Sequence, residues 1–167
     1  WGRLFAKTID FPPLRPFVGG LILVIAIYLI GTTKYIGLGV PTIVDSFSNP
    51  NESYDFLLKI LFTGFTLGAG FKGGEVTPLF YIGATLGNAL APLLDVPFAL
   101  LAAVGFVAVF AGAANTPIAS TLMAMELFGA EIGVFAALAC SMSYVCSGHR
   151  GIYRAQRLAH SKTHTSS

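Results

Sequence analysis

Charge is scarce in this chain. Lys, Arg, Asp and Glu together make up 11% of its 167 residues, less than half of the ~25% found in an ordinary soluble domain. With 54% apolar residues and a mean hydropathy of +0.74, this argues against a soluble globular domain. The same figures exclude disorder, which requires low hydrophobicity and high charge. The net charge is only +2 and there is no basic stripe, so nucleic acid is not an expected partner. Cysteine is scarce too. Cys140 and Cys146 lie six positions apart in one apolar stretch. They carry no disulfide or metal signature and are expected as buried thiols that pack like small hydrophobes. There is no Gly-x-Ser-x-Gly elbow, no His-Glu-x-x-His helix and no carboxylate pair at i, i+4 inside an apolar run. No enzyme activity, metal or cofactor is therefore expected. What remains is a polytopic membrane protein, or a piece of one.

The charge-free runs mark the expected membrane segments. Residues 16–33 hold no charge and would form a helix of about 27 Å, just long enough for the hydrocarbon core. Gly19-Gly20 lets a second helix approach closely. Breakers at Gly37, Gly39 and Pro41, and again at Ser48, Asn49 and Pro50, leave a short helix near 40–47. A polar stretch with Asn51, Glu52 and Asp55 leads into an apolar helix over 57–69 whose only charge is Lys59. Another helix is expected over 78–94, with Gly83 and Gly87 as a close-packing pair. The 30 charge-free residues 96–125 split at Gly112, Asn115 and Pro117 into helices over 97–113 and 117–128, the second too short to cross alone. A last apolar segment covers 131–146. From 148 onward Arg150, Arg154, Arg157 and Lys162 appear with no acid, which predicts a basic helix and tail on the cytoplasmic side. The acids Asp45, Glu52 and Asp55 would then face outward. This is an all-α pattern of uneven, broken helices. Irregular backbone at membrane depth is tolerated inside protein or along a wet cavity, and transporters use it to aim helix ends at a substrate.

Residues 68–78 read GAGFKGGEVTP, with four glycines around one lysine and one glutamate. Thr77 suits an N-cap and Pro78 a first helical position. The N–H groups of Glu75, Val76 and Thr77 would then be free. With the positive end of the helix dipole they favour an anion, and Gly73 and Gly74 let the backbone come close to it. An ordinary capped turn is the plain alternative. Glu75 is the one acid in this break. It either handles a proton and touches the ion, or is a helix-end acid held by the dipole. Lys72 either pairs with it or marks the interface. Glu126 reads as a structural acid, and residues 113–117 as a second break with its cap. Tyr153 sits where a polar, basic helix would begin. It is either an interface anchor or a neutral hydroxyl donor to a small anion.

Residues 74–87, GEVTPLFYIGATLG, resemble the Gly-x-Phe-x-Pro signature of CLC anion channels and anion/proton antiporters. Residues 115–126 are similar to the family's following helix pair, and the likeness extends over nearly the whole chain. It corresponds to the C-terminal half of a CLC membrane domain over residues 1–147, followed by a basic cytoplasmic segment over 148–167. The resemblance implies tilted, partly re-entrant helices in two inverted repeats, and a homodimer joined through helices around 117–146. It also implies an anion held by Gly74, Glu75, Val76 and Thr77 and touched by the Tyr153 hydroxyl. Val76 stands where the chloride-type signature has phenylalanine, and Gly-Gly-Glu-Val-Thr-Pro is similar to the fluoride/proton antiporter branch. That branch implies fluoride as the ion and Glu75 as part of the proton pathway. A chloride channel or chloride/proton antiporter is the alternative within the family, and a non-transporting assembly module the alternative outside it. The expected setting is a lipid bilayer, the bacterial inner membrane, with the C-terminus cytoplasmic. The chain begins at Trp1, and the family's N-terminal half, with its second anion loop and gating glutamate, is expected to be missing from it.

Overall fold

The computed structural model describes residues 11, 14–148 and 151–153. Among them the regular structure is entirely helical: α1 (Leu14–Ile30), α2 (Val40–Asp45), α3 (Asp55–Gly68), α4 (Val76–Leu94), α5 (Phe98–Ala114), α6 (Pro117–Phe128), a 3₁₀ turn (Ala130–Ile132) and α7 (Gly133–Cys146). Among the described residues, α4, with 19 residues, is the one helix long and apolar enough to cross a membrane unbroken. The apolar helices α1, α5, α6 and α7 have 17, 17, 12 and 14 residues. The expected span over 16–33 is thus corrected: α1 ends at Ile30 because Gly31 adopts φ +74° and stops it.

The centre of the fold is the α4–α5 pair, which the sequence makes possible by removing side chains. A Cβ on Gly83 would run into the backbone of Gly105 and Phe106, and one on Gly87 into that of Leu101 and Ala102. Gly105 is pressed against Gly83 in return. The two helices therefore touch backbone to backbone, as small residues allow in membranes. Phe80 of α4 stacks on Phe106 of α5 with centroids 4.1 Å apart, and Phe110 tilts over Phe80 at 4.9 Å. On the other face of α5 a small-residue core of Ala103, Val107, Ala111, Ala124, Ala136 and Cys140 seats α6 and α7. Cys140 is buried as expected, but Cys146, in the last turn of α7, is exposed.

α1 joins through Gly19, where a Cβ would overlap Ala69, and Phe71 lies beside Gly19 and Gly20. The rest of α1 turns large apolar side chains outward, with Tyr28 87% and Leu29 78% exposed. Such a surface fits lipid or further protein rather than water. One polar latch closes the opposite end of α4. Asn88, 1% exposed, donates to the carbonyls of Ser46 and Asn49 at 2.7 Å each, and its Oδ1 accepts from Asn51 N–H at 2.8 Å. This fixes the loop after α2 to α4.

Candidate functional site

The glycine-rich break is built by two helix ends. α3 stops at a Schellman turn: Gly70 N–H donates to Leu67 O at 3.1 Å and Phe71 N–H to Thr66 O at 3.3 Å. Gly70 sits at φ +94°, which suits a residue without Cβ. Lys72, Gly73, Gly74 and Glu75 then run exposed to the start of α4. That start lies earlier than expected. Glu75 is the N-cap and Val76 the first helical residue, so Thr77 is the second residue of the helix rather than its cap. Pro78, the third, fits here because this position needs no N–H donor. The N–H groups of Glu75, Val76 and Thr77 precede the first intrahelical bond, and no carbonyl of the turn accepts from them among the described residues.

Gly73 and Gly74 have no atom within 4 Å of a Cβ placed on them, and neither has a left-handed φ. Nothing in the packing of this chain requires them to be glycine. They line an open cavity of about 420 Å³ together with Tyr35, Gly37, Lys59 and Thr66. Glu75 makes no side-chain capping bond. The ion pair found among the described residues is Lys34–Asp55, so Lys72 does not neutralise Glu75. Glu126 is likewise exposed.

Tyr153 lies in an irregular stretch with Gly151 and Ile152 and is 48% exposed. The remainder of the predicted basic helix, including Arg150, Arg154, Arg157 and Lys162, falls outside the described residues. Ile152 N–H donates to Ala113 O at 2.8 Å, which ties this segment to the last turn of α5. Register brings it toward α4. Gly83 faces Gly105 and Gly87 faces Leu101, so the helices run antiparallel, and the N-terminus of α4 is level with the C-terminus of α5. The open N–H groups and the Tyr153 segment thus share one end of the α4–α5 pair. At that end Asn115, φ +57°, stops α5, and Thr116 and Pro117 start α6, which makes the expected second break.

One cluster escaped the sequence reading. Asp55 is fully buried at the start of α3. It accepts from Lys34 Nζ at 2.5 Å and from the Tyr35 hydroxyl at 2.7 Å. Burial, and then the Asp55 carboxylate beside it, push the Tyr35 phenol well above its ordinary range, so it remains a donor. One turn further along α3, Lys59 is 1% exposed. The only sequence signal for this cluster was a lone lysine in an apolar helix.

A bundle of uneven, broken, largely apolar helices around an open helix N-terminus is the architecture of a polytopic membrane protein. The sequence matches the family described as Voltage gated chloride channel over residues 2–148, and the chain belongs to that family of integral membrane proteins. It is 60% identical, over 98% of its length, to a chloride/fluoride channel protein of Pseudomonas syringae pv. tomato. It is 27% identical over 78% of its length to an uncharacterised protein of Methanocaldococcus jannaschii. Its fold is similar to the crystal structure of a CLC-type fluoride/proton antiporter, with a TM-score of 0.83 and 41% identity over 87% of the chain. The chain spans 37% of the Pseudomonas protein, 34% of the Methanocaldococcus protein and 37% of the antiporter chain.

Proposed function

We propose that this chain is the anion-binding C-terminal portion of a fluoride/proton antiporter. The anion lies against the N–H groups of Glu75, Val76 and Thr77, where the positive end of α4 is unscreened. Gly74 keeps the approach free of a Cβ. Tyr153 offers a neutral hydroxyl donor from the segment tied to Ala113. Glu75 carries the counter-transported proton: ionised it repels the anion, and protonated it becomes a donor to it. Fluoride is small and strongly hydrated, and it benefits more than chloride from the added polar groups Glu75 and Thr77. Residues 1–147 form the membrane portion and 148–167 a basic segment on the cytoplasmic side of the bacterial inner membrane. The remaining N-terminal part of the same protein completes the pathway. A second copy docks on helices around 117–146, whose side chains Ile118, Leu122, Val134, Leu138 and Met142 are apolar and exposed.

The observation that carries this reading is the open α4 N-terminus behind Gly73 and Gly74, two glycines that the packing of the chain does not demand. Fluoride stands in the names of both the 60% identical relative, beside chloride, and the structural neighbour. Liposomes containing the full-length protein test it, with fluoride and chloride release compared and internal pH recorded. Fluoride-selective release with opposing proton uptake is expected. Chloride release without proton movement would keep the family and replace the mechanism with a channel. No release of either ion would favour an assembly module.

A further inference from the structure

α1 and α3 are held together at both ends and part between them. At one end a Cβ on Gly19 would overlap Ala69, and at the other Lys34 pairs with the Asp55 carboxylate. At mid-length they leave a groove of about 240 Å³, lined by Ile22, Leu23 and Ala26 of α1 and by Leu61, Phe62 and Phe65 of α3. All six side chains are hydrocarbon. A buried water needs about two to four polar partners, and a cavity lined by such residues stays dry and accepts apolar molecules. Its capacity is small: at about 30 Å³ for each water-sized group it holds roughly eight of them, a short run of methylenes. Leu23 and Phe62 also line the cavity of about 420 Å³ beside Gly73 and Gly74. These two side chains are therefore a wall shared by the groove and that cavity.

The rim of the groove, Ile22 and Leu61, is exposed. It continues into Leu21 and Ile25 of α1 and Leu57 and Ile60 of α3, all exposed and apolar. Arg15 opens α1 and Lys34 follows it, so charge stands at both ends of this helix and none between. Ile22 and Ala26 lie roughly 10–17 Å from Arg15 along the helix axis, at the depth of lipid tails rather than headgroups. A mid-depth groove with a wholly apolar lining, continuous with an apolar outer face, selects a hydrocarbon chain. We infer that it is a binding site for one acyl chain of a bilayer lipid, packed on Leu23, Phe62 and Phe65. The seated chain braces, from the lipid side, the wall that Leu23 and Phe62 form. The inference is independent of the anion-transport reading above.

The test uses the full-length protein in phosphatidylethanolamine/phosphatidylglycerol liposomes with a trace of phospholipid carrying a diazirine midway along one acyl chain. Labelled residues are mapped by mass spectrometry after photolysis. A lipid tail leaves surroundings as apolar as the groove, so packing contacts alone hold it and the preference is modest. Labelling of Leu23, Ala26, Phe62 and Phe65 is expected roughly three- to tenfold above that of Val24 and Leu29, which are exposed elsewhere on α1. Ala26→Phe fills the groove and should remove this excess while Val24 and Leu29 stay labelled. If Ala26→Phe does not fold, the wild-type pattern decides by itself. Equal labelling of both sets would reduce the groove to ordinary lipid-facing surface. Unlabelled groove residues would mean that another part of the protein covers them. Either result overturns the inference, as does an excess that persists in folded Ala26→Phe.

Discussion

Replacing Asp55 by alanine tests how much of this fold depends on a buried polar cluster. The carboxylate is fully buried and accepts two bonds, one from Lys34 and one from the Tyr35 hydroxyl. Removing one member of a buried ion pair costs about 3–5 kcal/mol, because the remaining charge loses its compensation. The Lys34 side chain is 28% exposed and regains some water, which favours the lower end. The stranded Tyr35 hydroxyl adds about 1–2 kcal/mol. Asp55→Ala should therefore cost about 4 kcal/mol, whereas Tyr35→Phe, which leaves Lys34–Asp55 intact, should cost about 1 kcal/mol. Thermal unfolding of the full-length protein in detergent, with the single and double variants compared, provides the readout. The double variant should be no worse than Asp55→Ala, since both act on the same bond. Equal losses for the two single variants, or an Asp55→Ala loss below 1 kcal/mol, would refute the idea that this pair anchors α3 to the preceding loop.

Three other outcomes follow from the same structure. Gly87→Leu should abolish folding or shift the α4–α5 contact, because even a Cβ there meets the Leu101 backbone; native-like melting of that variant would contradict the backbone-to-backbone packing. Tyr35 has a folded pKa raised above its unfolded value. Its contribution is present below about pH 10, the ordinary phenol value, and is lost as pH rises through the raised one. Stability should fall above about pH 10 in wild type and fall less in Tyr35→Phe, as read by melting at stepped pH. The 167-residue chain reconstituted alone should release no fluoride above empty liposomes, because it spans only 37% of the antiporter chain whose fold it shares.

The elements most legible in the sequence were those fixed by backbone rules. Gly83 and Gly87 announced a close helix contact, and the structure places them on Gly105 and Leu101. Asn115 and Pro117 announced a break, and an αL residue followed by a new helix stands there. The start of α4 was off by two residues because Thr77-Pro78 resembles a cap and first position, while Glu75 takes the cap in the fold. The Lys34–Tyr35–Asp55–Lys59 cluster was not legible. Its bonds cross 20 to 24 residues of chain and depend on a loop folding back over α3, which periodicity does not encode. Tyr153 was legible as a hydroxyl near a basic segment. Its position relative to α4 came only from the Ile152–Ala113 bond and the α4–α5 register.

In the proposed function, the open end of α4 binds the anion and Glu75 couples it to a proton. Fluoride release from liposomes holding the full-length protein, with internal pH followed in wild type and Glu75→Gln, tests it most directly. Glutamine keeps the size and removes the titratable oxygen. Fluoride-driven proton uptake is expected in wild type, and slowed or uncoupled exchange in Glu75→Gln. Unchanged coupling in a folded Glu75→Gln protein would contradict it, and would leave Glu75 as an acid that does no more than stabilise the end of a helix.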